Sequence, residues 1–347
     1  MSLNRIERYR LTRFSPPPVP RWGSPAALLL NGMWQVSGGH GRINPEKALA
    51  AMFAYVDAGF TTWDLADHYG PAEDFIGEFR TQLEKQRGKD ALNNIQTFTK
   101  WVPRPGKMTR QVVEKNIDIS RQRMQTDCLD LLQFHWWDYG DENYLTALHH
   151  MADLQQDGKI KHLALTNFDT EHLKIILDAG IKIVSNQVQF SLVDRRPLAK
   201  MAQFCQEKGV HLLAYGTLCG GFLSETYLGQ PTPSRWTMKT VSQRKYYNMI
   251  RAWGGWPLFQ ELLQVLAKIA QKHQRSMANI AVRYILEQAA VAGAIVGARL
   301  GIQGHIEDNS KVFDFQLDEA DYQALEPIFQ QSQDLMMVIG DCGDEYR

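Results

Sequence analysis

The sequence has few of the features that mark several protein classes. Its 347 residues include four cysteines, none of them in a Cys-x-x-Cys pair: Cys128, Cys205, Cys219 and Cys342. A chain of this size does not need a disulfide framework, so we expect a reducing compartment, the cytoplasm. No apolar run is long enough to span a bilayer, so we expect no membrane insertion.

The sequence also has no excess of charge of one sign. Lys and Arg number 38, and Asp and Glu number 38, which gives a formal net charge of zero. A polyanion would find no strongly basic surface, so we expect no nucleic acid partner. The hydrophobic fraction of 44% and charged fraction of 22% are ordinary for a globular protein and argue against disorder.

The first residues are basic but carry no apolar run, which argues against a secretory signal. Four arginines stand there: Arg5, Arg8, Arg10 and Arg13. An organelle transit peptide is the alternative, but Glu7 and the run Pro16–Pro18 fit it badly. We interpret residues 1–26 as an ordinary N-terminal arm.

Short apolar runs alternate with amphipathic stretches along most of the chain. The runs lie near residues 28, 61, 95, 129, 161, 183, 211 and 293. Most of them are spaced like βα units of about 30 residues. Helical periodicity is clear in the stretches 45–58 and 109–125. Eight such units predict an α/β protein built as a single (β/α)8 TIM barrel with long loops on the C-terminal face of the strands, rather than an open doubly wound sheet.

We predict one domain over residues 1–347, with a core at about 27–313. The long gap before the eighth run contains two helix-like stretches, 257–271 and 277–288. The rest of that gap, about 217–256, is rich in Gly, Pro, Ser and aromatic residues and is interpreted as a loop insertion. A C-terminal extension follows at about 314–347, with one further helix expected at 318–330.

Polar residues stand where several of the predicted strands end. Asp64, Lys100 and His135 follow the second, third and fourth apolar runs, and Tyr69 lies in the loop after Asp64. In a barrel these strand ends meet on one rim. A nearby ammonium lowers the pKa of a phenol, so Lys100 is expected to activate Tyr69. His135 is expected to hydrogen-bond a substrate oxygen, which together suggests carbonyl chemistry.

These four residues, in this order, resemble the catalytic tetrad of the aldo-keto reductases, and the resemblance runs from about Gly32 to Asn309. That family comprises NAD(P)H-dependent oxidoreductases on a (β/α)8 barrel. The resemblance implies that Tyr69 is the general acid for carbonyl reduction and the general base for alcohol oxidation. Lys100, Asp64 and His135 would assist it.

The resemblance also implies a set of cofactor contacts. Arg299 is expected to bind a 2′-phosphate, because a guanidinium group suits phosphate geometry. His305 departs from the many NADP-selective members that have a second basic residue there, so NADP(H) is expected and NAD(H) is the less favoured cofactor. The complete set of expected contacts is Gly32, Met33, Trp34, Asp64, Thr166, Asn167, Gln187, Tyr215, Gly216, Leu218, Gly220, Gly297, Arg299, His305, Asp308 and Asn309.

Aromatic residues after the strand ends are expected to line a pocket for a small-molecule carbonyl or alcohol. Core packing is the alternative interpretation of the same residues. The predicted pocket consists of Trp34, Tyr69, Trp101, His135 and Trp136.

The sequence therefore predicts reversible reduction of an aldehyde or ketone by hydride transfer from NADPH. The alternative is a redox-sensing regulatory or channel-associated barrel subunit that binds NADP(H) with little turnover. A metal-dependent barrel hydrolase ranks last. The adjacent pair His149 and His150 cannot face one metal from a helix, so we expect no metal site. The sequence predicts no particular oligomeric state.

Overall fold

The structure is a computed structural model that describes residues 29–38, 43–234, 236–301 and 304–347. The predicted N-terminal arm, residues 1–26, lies outside the described residues, as do the first two residues of the predicted core. No helix in the described part of the chain is long and apolar enough to cross a membrane.

Eight parallel strands close into a barrel in chain order, which confirms the predicted (β/α)8 fold. Each strand lies within or next to one of the predicted apolar runs, and most strand residues are buried. The strands are β1 Leu29–Gly32, β2 Thr62–Asp64, β3 Gln96–Trp101, β4 Leu131–Phe134, β5 Leu163–Thr166, β6 Ser185–Gln189, β7 His211–Tyr215 and β8 Val291–Gly297.

Helices separate the strands, and two of the predicted starts are confirmed. Asn44 accepts a hydrogen bond from Lys47 N and Thr109 accepts one from Val112 N, as N-caps do. The helices are α1 Pro45–Asp57, α2 Ala72–Arg87, α3 Arg110–Arg123, α4 Asn143–Gln156, α5 Thr170–Asp178, α6 Met201–Lys208, α7 Val241–Trp253, α8 Gly255–His273, α9 Met277–Leu286, α10 Ile306–Ser310, α11 Glu319–Gln331 and α12 Leu335–Val338.

The stretch 217–256 is not a loop throughout, and that expectation was wrong. It contains the 13-residue helix α7 and the start of α8. Thr240 and Gln243 form a capping box at the start of α7. The aromatic residues of the stretch are mostly core, since Trp253 and Trp256 are buried. Composition suggested a loop because the flanking residues contain many turn formers.

The predicted helix at 318–330 is confirmed as α11, Glu319–Gln331. Asp318 caps it by accepting a hydrogen bond from Asp321 N. The short helix α12 and a tail, residues 342–347, follow.

The described chain divides into two compact units. The first unit comprises residues 29–188, 297–304 and 342–347, and the second comprises 189–296 and 305–341. In the second unit the ring of Phe222 packs against Tyr227, Trp256 and Phe259, which gives the former insertion a core of its own. The single domain over 1–347 stays a prediction.

Candidate active site

The first unit brings several predicted polar residues to the carboxyl ends of its strands. Asp64 is the last residue of β2, and Lys100 is the next-to-last residue of β3. His135 follows β4 directly, and Thr166 ends β5. Parallel strands place these ends on one edge, where barrel enzymes carry their sites.

Asp64 and Lys100 form an ion pair that is almost fully removed from water. Lys100 Nζ lies 2.7 Å from Asp64 Oδ2, and each residue is 3% exposed. Lys100 also donates to the backbone oxygen of Leu65 at 2.9 Å. Burial lowers the pKa of Lys100, while the charge of Asp64 and the hydrogen bond to it act in the opposite direction. The ion pair with Asp64 therefore opposes the loss of the Lys100 proton that burial favours.

Two buried glutamine side chains complete the hydrogen bonds of Asp64. Gln133 Nε2 donates to Asp64 Oδ1 at 3.0 Å, and Gln187 Nε2 donates to the same atom at 2.6 Å. Gln187 Nε2 also lies 2.7 Å from Gln133 Oε1. These bonds replace the water that a buried carboxylate has lost. Sequence reasoning missed Gln133, although a polar residue within the apolar strand β4 was a signal for it.

Tyr69 lies beside this pair but is not activated in the expected direction. Its ring centroid is 5.1 Å from Lys100 Nζ, and the residue is 8% exposed. The pKa of Tyr69 is raised well above 10, chiefly by burial and then by the charges of Asp64, Tyr346 and Asp67. The expected net lowering of this pKa is not found, because burial and then the charge of Asp64 raise it. At neutral pH the phenol holds its proton.

His135 has one engaged and one unengaged ring nitrogen. Its Nδ1 lies 3.1 Å from the backbone oxygen of Thr166, which can only accept, so Nδ1 carries a proton. Burial lowers the pKa of His135 to about 4, so the ring is neutral at pH 7. The proton is then on Nδ1, and Nε2 has a lone pair. Nε2 is buried without a hydrogen-bond partner in the described residues, so its lone pair is available to accept a hydrogen bond.

The aromatic residues around these groups differ from the predicted pocket in two places. Trp34 contacts Tyr69 with a centroid distance of 5.4 Å, as expected of a wall residue. Trp136, however, is 0% exposed, and Trp101 is also buried, because both rings pack against Phe134. Trp101 and Trp136 therefore belong to the core, which is the alternative interpretation given above.

Trp137 takes the place that the sequence assigned to Trp136. Its ring lies 4.3 Å from the His135 ring, and it is 40% exposed. Directions alternate along an extended chain, so His135 and Trp137 face one way and Trp136 faces the other. That alternation was the signal for choosing Trp137.

The first unit also contains nine of the sixteen expected cofactor contacts. Thr166 Oγ1 donates to the backbone oxygen of Gln187 at 3.2 Å, and Asn167 has a left-handed φ of 59°. Gly32 and Met33 are buried at the end of β1. Arg299 is half-buried, and no ion pair joins it to another described residue.

Gly297 lies in close contact with the end of the Gln35 side chain, which would have to move to admit a larger residue. A methyl group at this position would lie 2.2 Å from Nε2 of Gln35. The Oε1 atom of Gln35 is buried and has no hydrogen-bond partner among the residues described. This orphaned acceptor at the end of β8 is the kind of group that a bound polar molecule satisfies.

The second unit holds the remaining expected contacts. Tyr215 ends β7, and Gly216 and Gly220 have positive φ in the loop that follows, where Leu218 is half-buried. The ammonium of Lys245, which sequence reasoning missed, lies 4.9 Å from the ring centroid of Tyr215. No sequence pattern singled out this lysine, because it belongs to α7, which was interpreted as a loop.

Three expected contacts of the second unit lie around α10, and one of them is already engaged. The carboxylate of Asp308 accepts hydrogen bonds from Ser276 and Asn279. His305 is exposed and directly precedes α10, and Asn309 N donates to its backbone oxygen.

Cys219, in the same loop as Gly220, is not a reactive thiol. It is buried, and burial raises its pKa to about 12. No group of three or more His, Cys, Asp or Glu residues in the described ranges is arranged to hold a metal ion. His150 instead lies 3.7 Å from the Asp153 carboxylate.

The sequence matches the model of the aldo/keto reductase family over residues 28–329. The chain belongs to the aldo/keto reductase family. This is a family of oxidoreductases, and the (β/α)8 architecture of the chain agrees with the match.

Individual relatives of this aldo/keto reductase are distant. Aldo-keto reductase YhdN from Bacillus subtilis is 26% identical over 324 residues, which cover 89% of this chain and 92% of YhdN. Flagellar radial spoke protein 5 from Chlamydomonas reinhardtii is 27% identical over 260 residues, 64% of this chain. The match spans only 49% of the radial spoke protein, about half its length.

A solved structure supports the fold alone. The glycerol dehydrogenase from Gluconobacter oxydans has a TM-score of 0.75 and 20% sequence identity to this chain. The likeness covers 94% of this chain and 96% of that one.

The buried ion pair makes a prediction about stability. Lys100→Met leaves Asp64 buried without its cation, so we expect the free energy of unfolding to fall by about 3–5 kcal/mol. Urea denaturation measures this change. The double variant Lys100→Met with Asp64→Asn should recover part of the loss, because Gln133 and Gln187 can still donate to an amide oxygen.

An exposed lysine provides the control. Lys182→Met removes the same charge before β6, and we expect a change within about 0.5 kcal/mol. Equal stability of Lys100→Met and Lys182→Met would contradict the structural importance of the pair.

Proposed function

We propose that this aldo/keto reductase reversibly reduces an aldehyde or ketone to an alcohol, with NADPH as the hydride donor and Tyr69 as the proton donor. The observation that carries the proposal is a protonated, buried phenol beside a buried ion pair. Lys100 Nζ lies 5.1 Å from the centroid of the Tyr69 ring, and the raised pKa of Tyr69 keeps its phenol protonated at neutral pH.

Tyr69 supplies the proton in this proposal. When bound, the reduced nicotinamide supplies a hydride to the carbonyl carbon. Tyr69 donates a hydrogen bond to the carbonyl oxygen and gives up its proton as charge develops there. The Lys100 ammonium stabilises the phenolate that remains, and Asp64 keeps Lys100 charged and in place. Because its pKa is raised, Tyr69 is present at neutral pH in the protonated form that reduction requires.

His135 plays a different part from the one expected of a donor. The lone pair on its Nε2 accepts the hydrogen of a hydroxyl group, such as that of the alcohol product. It thereby holds the hydroxyl group of the alcohol, as the product of reduction or the substrate of oxidation, and offers no hydrogen bond to the carbonyl oxygen itself. Trp34 and Trp137 supply the apolar walls beside Tyr69 and His135.

Residues of the first unit fit a nicotinamide dinucleotide. Gln35 Oε1, beside Gly297, is a buried acceptor without a partner among the described residues, so a donor group of the cofactor would satisfy it. We propose that Thr166, Asn167 and Gln187 hold the nicotinamide carboxamide and that Arg299 binds the 2′-phosphate. Contacts by Tyr215, Gly216, Leu218, Gly220, His305, Asp308 and Asn309 stay predictions from the family resemblance.

Removing the phenol hydroxyl tests the catalytic role. Tyr69→Phe should lower kcat/KM for carbonyl reduction by about 10²–10⁴-fold, because the general acid is lost while the ring stays. NADPH oxidation is followed by absorbance with a panel of aldehydes and ketones. Tyr55→Phe, a buried tyrosine of α1, is the control and should retain activity.

The same assay separates this proposal from a redox-sensing subunit. Tight NADPH binding without turnover of any carbonyl by the unmodified protein would overturn the enzymatic function and favour the binding role.

The raised pKa of Tyr69 predicts a pH profile. A general acid must be protonated, and Tyr69 stays protonated through pH 10 because its pKa lies well above that value. The rate of reduction should therefore not fall between pH 7 and 10, in single-turnover measurements at saturating NADPH. Oxidation needs the phenolate and should rise across the same range. A fall in reduction with a midpoint below pH 10 would contradict control of the profile by the raised pKa of Tyr69 and would point to Lys100, whose pKa burial lowers.

Cofactor preference is tested at Arg299. Arg299→Ala should weaken NADPH binding about tenfold and leave NADH binding nearly unchanged, since only NADPH carries the 2′-phosphate. Quenching of tryptophan fluorescence measures both dissociation constants. Arg104→Ala, at an exposed position after β3, is the control. Equal weakening of both cofactors would show that Arg299 does not distinguish them.

A further inference from the structure

The tail of the first unit, residues 342–347, packs against the ends of β4 and β5. Gly343 has a φ of 92°, and a methyl group there would lie 2.0 Å from the backbone oxygen of Asn167. The ring of Tyr346 lies 6.0 Å from that of His135 and 6.4 Å from that of Trp137. The tail therefore reaches the catalytic imidazole itself, a contact that no local sequence pattern indicated.

Arg347 joins the two strand ends through a single guanidinium nitrogen. Its Nη2 donates to the backbone oxygen of Trp136 at 2.8 Å and to that of Asn167 at 2.9 Å. Trp136 follows His135, and Asn167 follows Thr166, whose backbone oxygen accepts the hydrogen bond from His135 Nδ1. One cation thus holds the chain on both sides of the bond that orients His135.

The guanidinium group rests on a fixed support. Its carbon lies 3.8 Å from the ring centroid of Tyr139, within cation–π range. Tyr139 stacks on His172 at 3.4 Å, and its hydroxyl oxygen accepts a hydrogen bond from Asp169 N at 3.1 Å. This support limits the freedom of an otherwise exposed side chain.

We propose that Arg347 is a positioning residue of the active site, which holds the chain after β4 and β5 so that His135 Nε2 and the Asn167 side chain face the bound molecules. The proposal rests on the proposed function, because the effect of Arg347 is measured as a change in kcat/KM for carbonyl reduction. It assigns no contact between Arg347 and substrate.

Arg347 also acts on His135 through its charge. Burial is the main cause of the low pKa of His135, and the electrostatic effects of Arg347 and then of His68 lower it further. Glu345 and the hydrogen bond to Thr166 act in the opposite direction. Loss of the charge of Arg347 should therefore raise the pKa of His135.

Three variants separate the two effects. Arg347→Gln removes both the charge and the guanidinium geometry, Arg347→Lys retains the charge, and Lys182→Gln removes a charge at an exposed position before β6. We measure kcat and KM for reduction and the NADPH dissociation constant. The His135 imidazole is titrated by NMR, with His135→Gln used to assign its signal.

We expect Arg347→Gln to lower kcat/KM about tenfold and to raise the pKa of His135, with the melting temperature within about 3 °C of wild type. Arg347→Lys should leave the pKa of His135 near the wild-type value. Its kcat/KM should nevertheless be almost as low as that of Arg347→Gln, since an ammonium lacks the planar donor geometry. Lys182→Gln should match wild type in every measurement.

Wild-type kcat/KM and an unchanged His135 pKa in Arg347→Gln would overturn the proposal. So would a loss of activity that only parallels a lower melting temperature. If the unmodified protein turns over no carbonyl, the proposed function fails. The NADPH dissociation constants of the variants then still test the positioning of Asn167. Weaker binding by Arg347→Gln and Arg347→Lys than by wild type and Lys182→Gln supports it, and equal binding by all four overturns it.

Discussion

The ion pair between Asp64 and Lys100 is the constraint on which the site depends. A carboxylate and an ammonium that are removed from water stay charged only if each is fully hydrogen-bonded. Gln133, Gln187 and the backbone oxygen of Leu65 meet that requirement. The need to solvate one ion pair thus explains why the polar side chains of Gln133 and Gln187 occur inside buried strands.

Around this pair the other two titratable groups are neutral at physiological pH. Burial raises the pKa of Tyr69 and lowers that of His135 to about 4. The first group is therefore a donor and the second an acceptor, and neither adds charge to a poorly solvated place. Tyr69 therefore offers a proton to the substrate oxygen, and His135 offers a lone pair to the hydrogen of a hydroxyl group.

Local patterns predicted most of the fold. Apolar runs marked all eight strands, and the periodic stretches 45–58 and 109–125 marked two helices, because periodicity and strand burial leave a signal within a few residues. The tetrad was found because its members follow strand ends. The direction of the Tyr69 pKa was missed, since it depends on burial by residues distant in sequence. The contact of Arg347 with Asn167 joins residues 180 positions apart, and no local pattern reports such a pair.

Gly343 gives the tail a property that its side chains do not determine. Its missing Cβ and its positive φ let the backbone pass directly over Asn167, so the route of residues 342–347 is set by the main chain. Gly343 thereby brings Tyr346 and Arg347 to the strand ends, where the hydrogen bonds of Arg347 hold the tail. Exchanging Tyr346 offers a way to redesign the environment of His135 while Gly343 and Arg347 preserve the path of the segment.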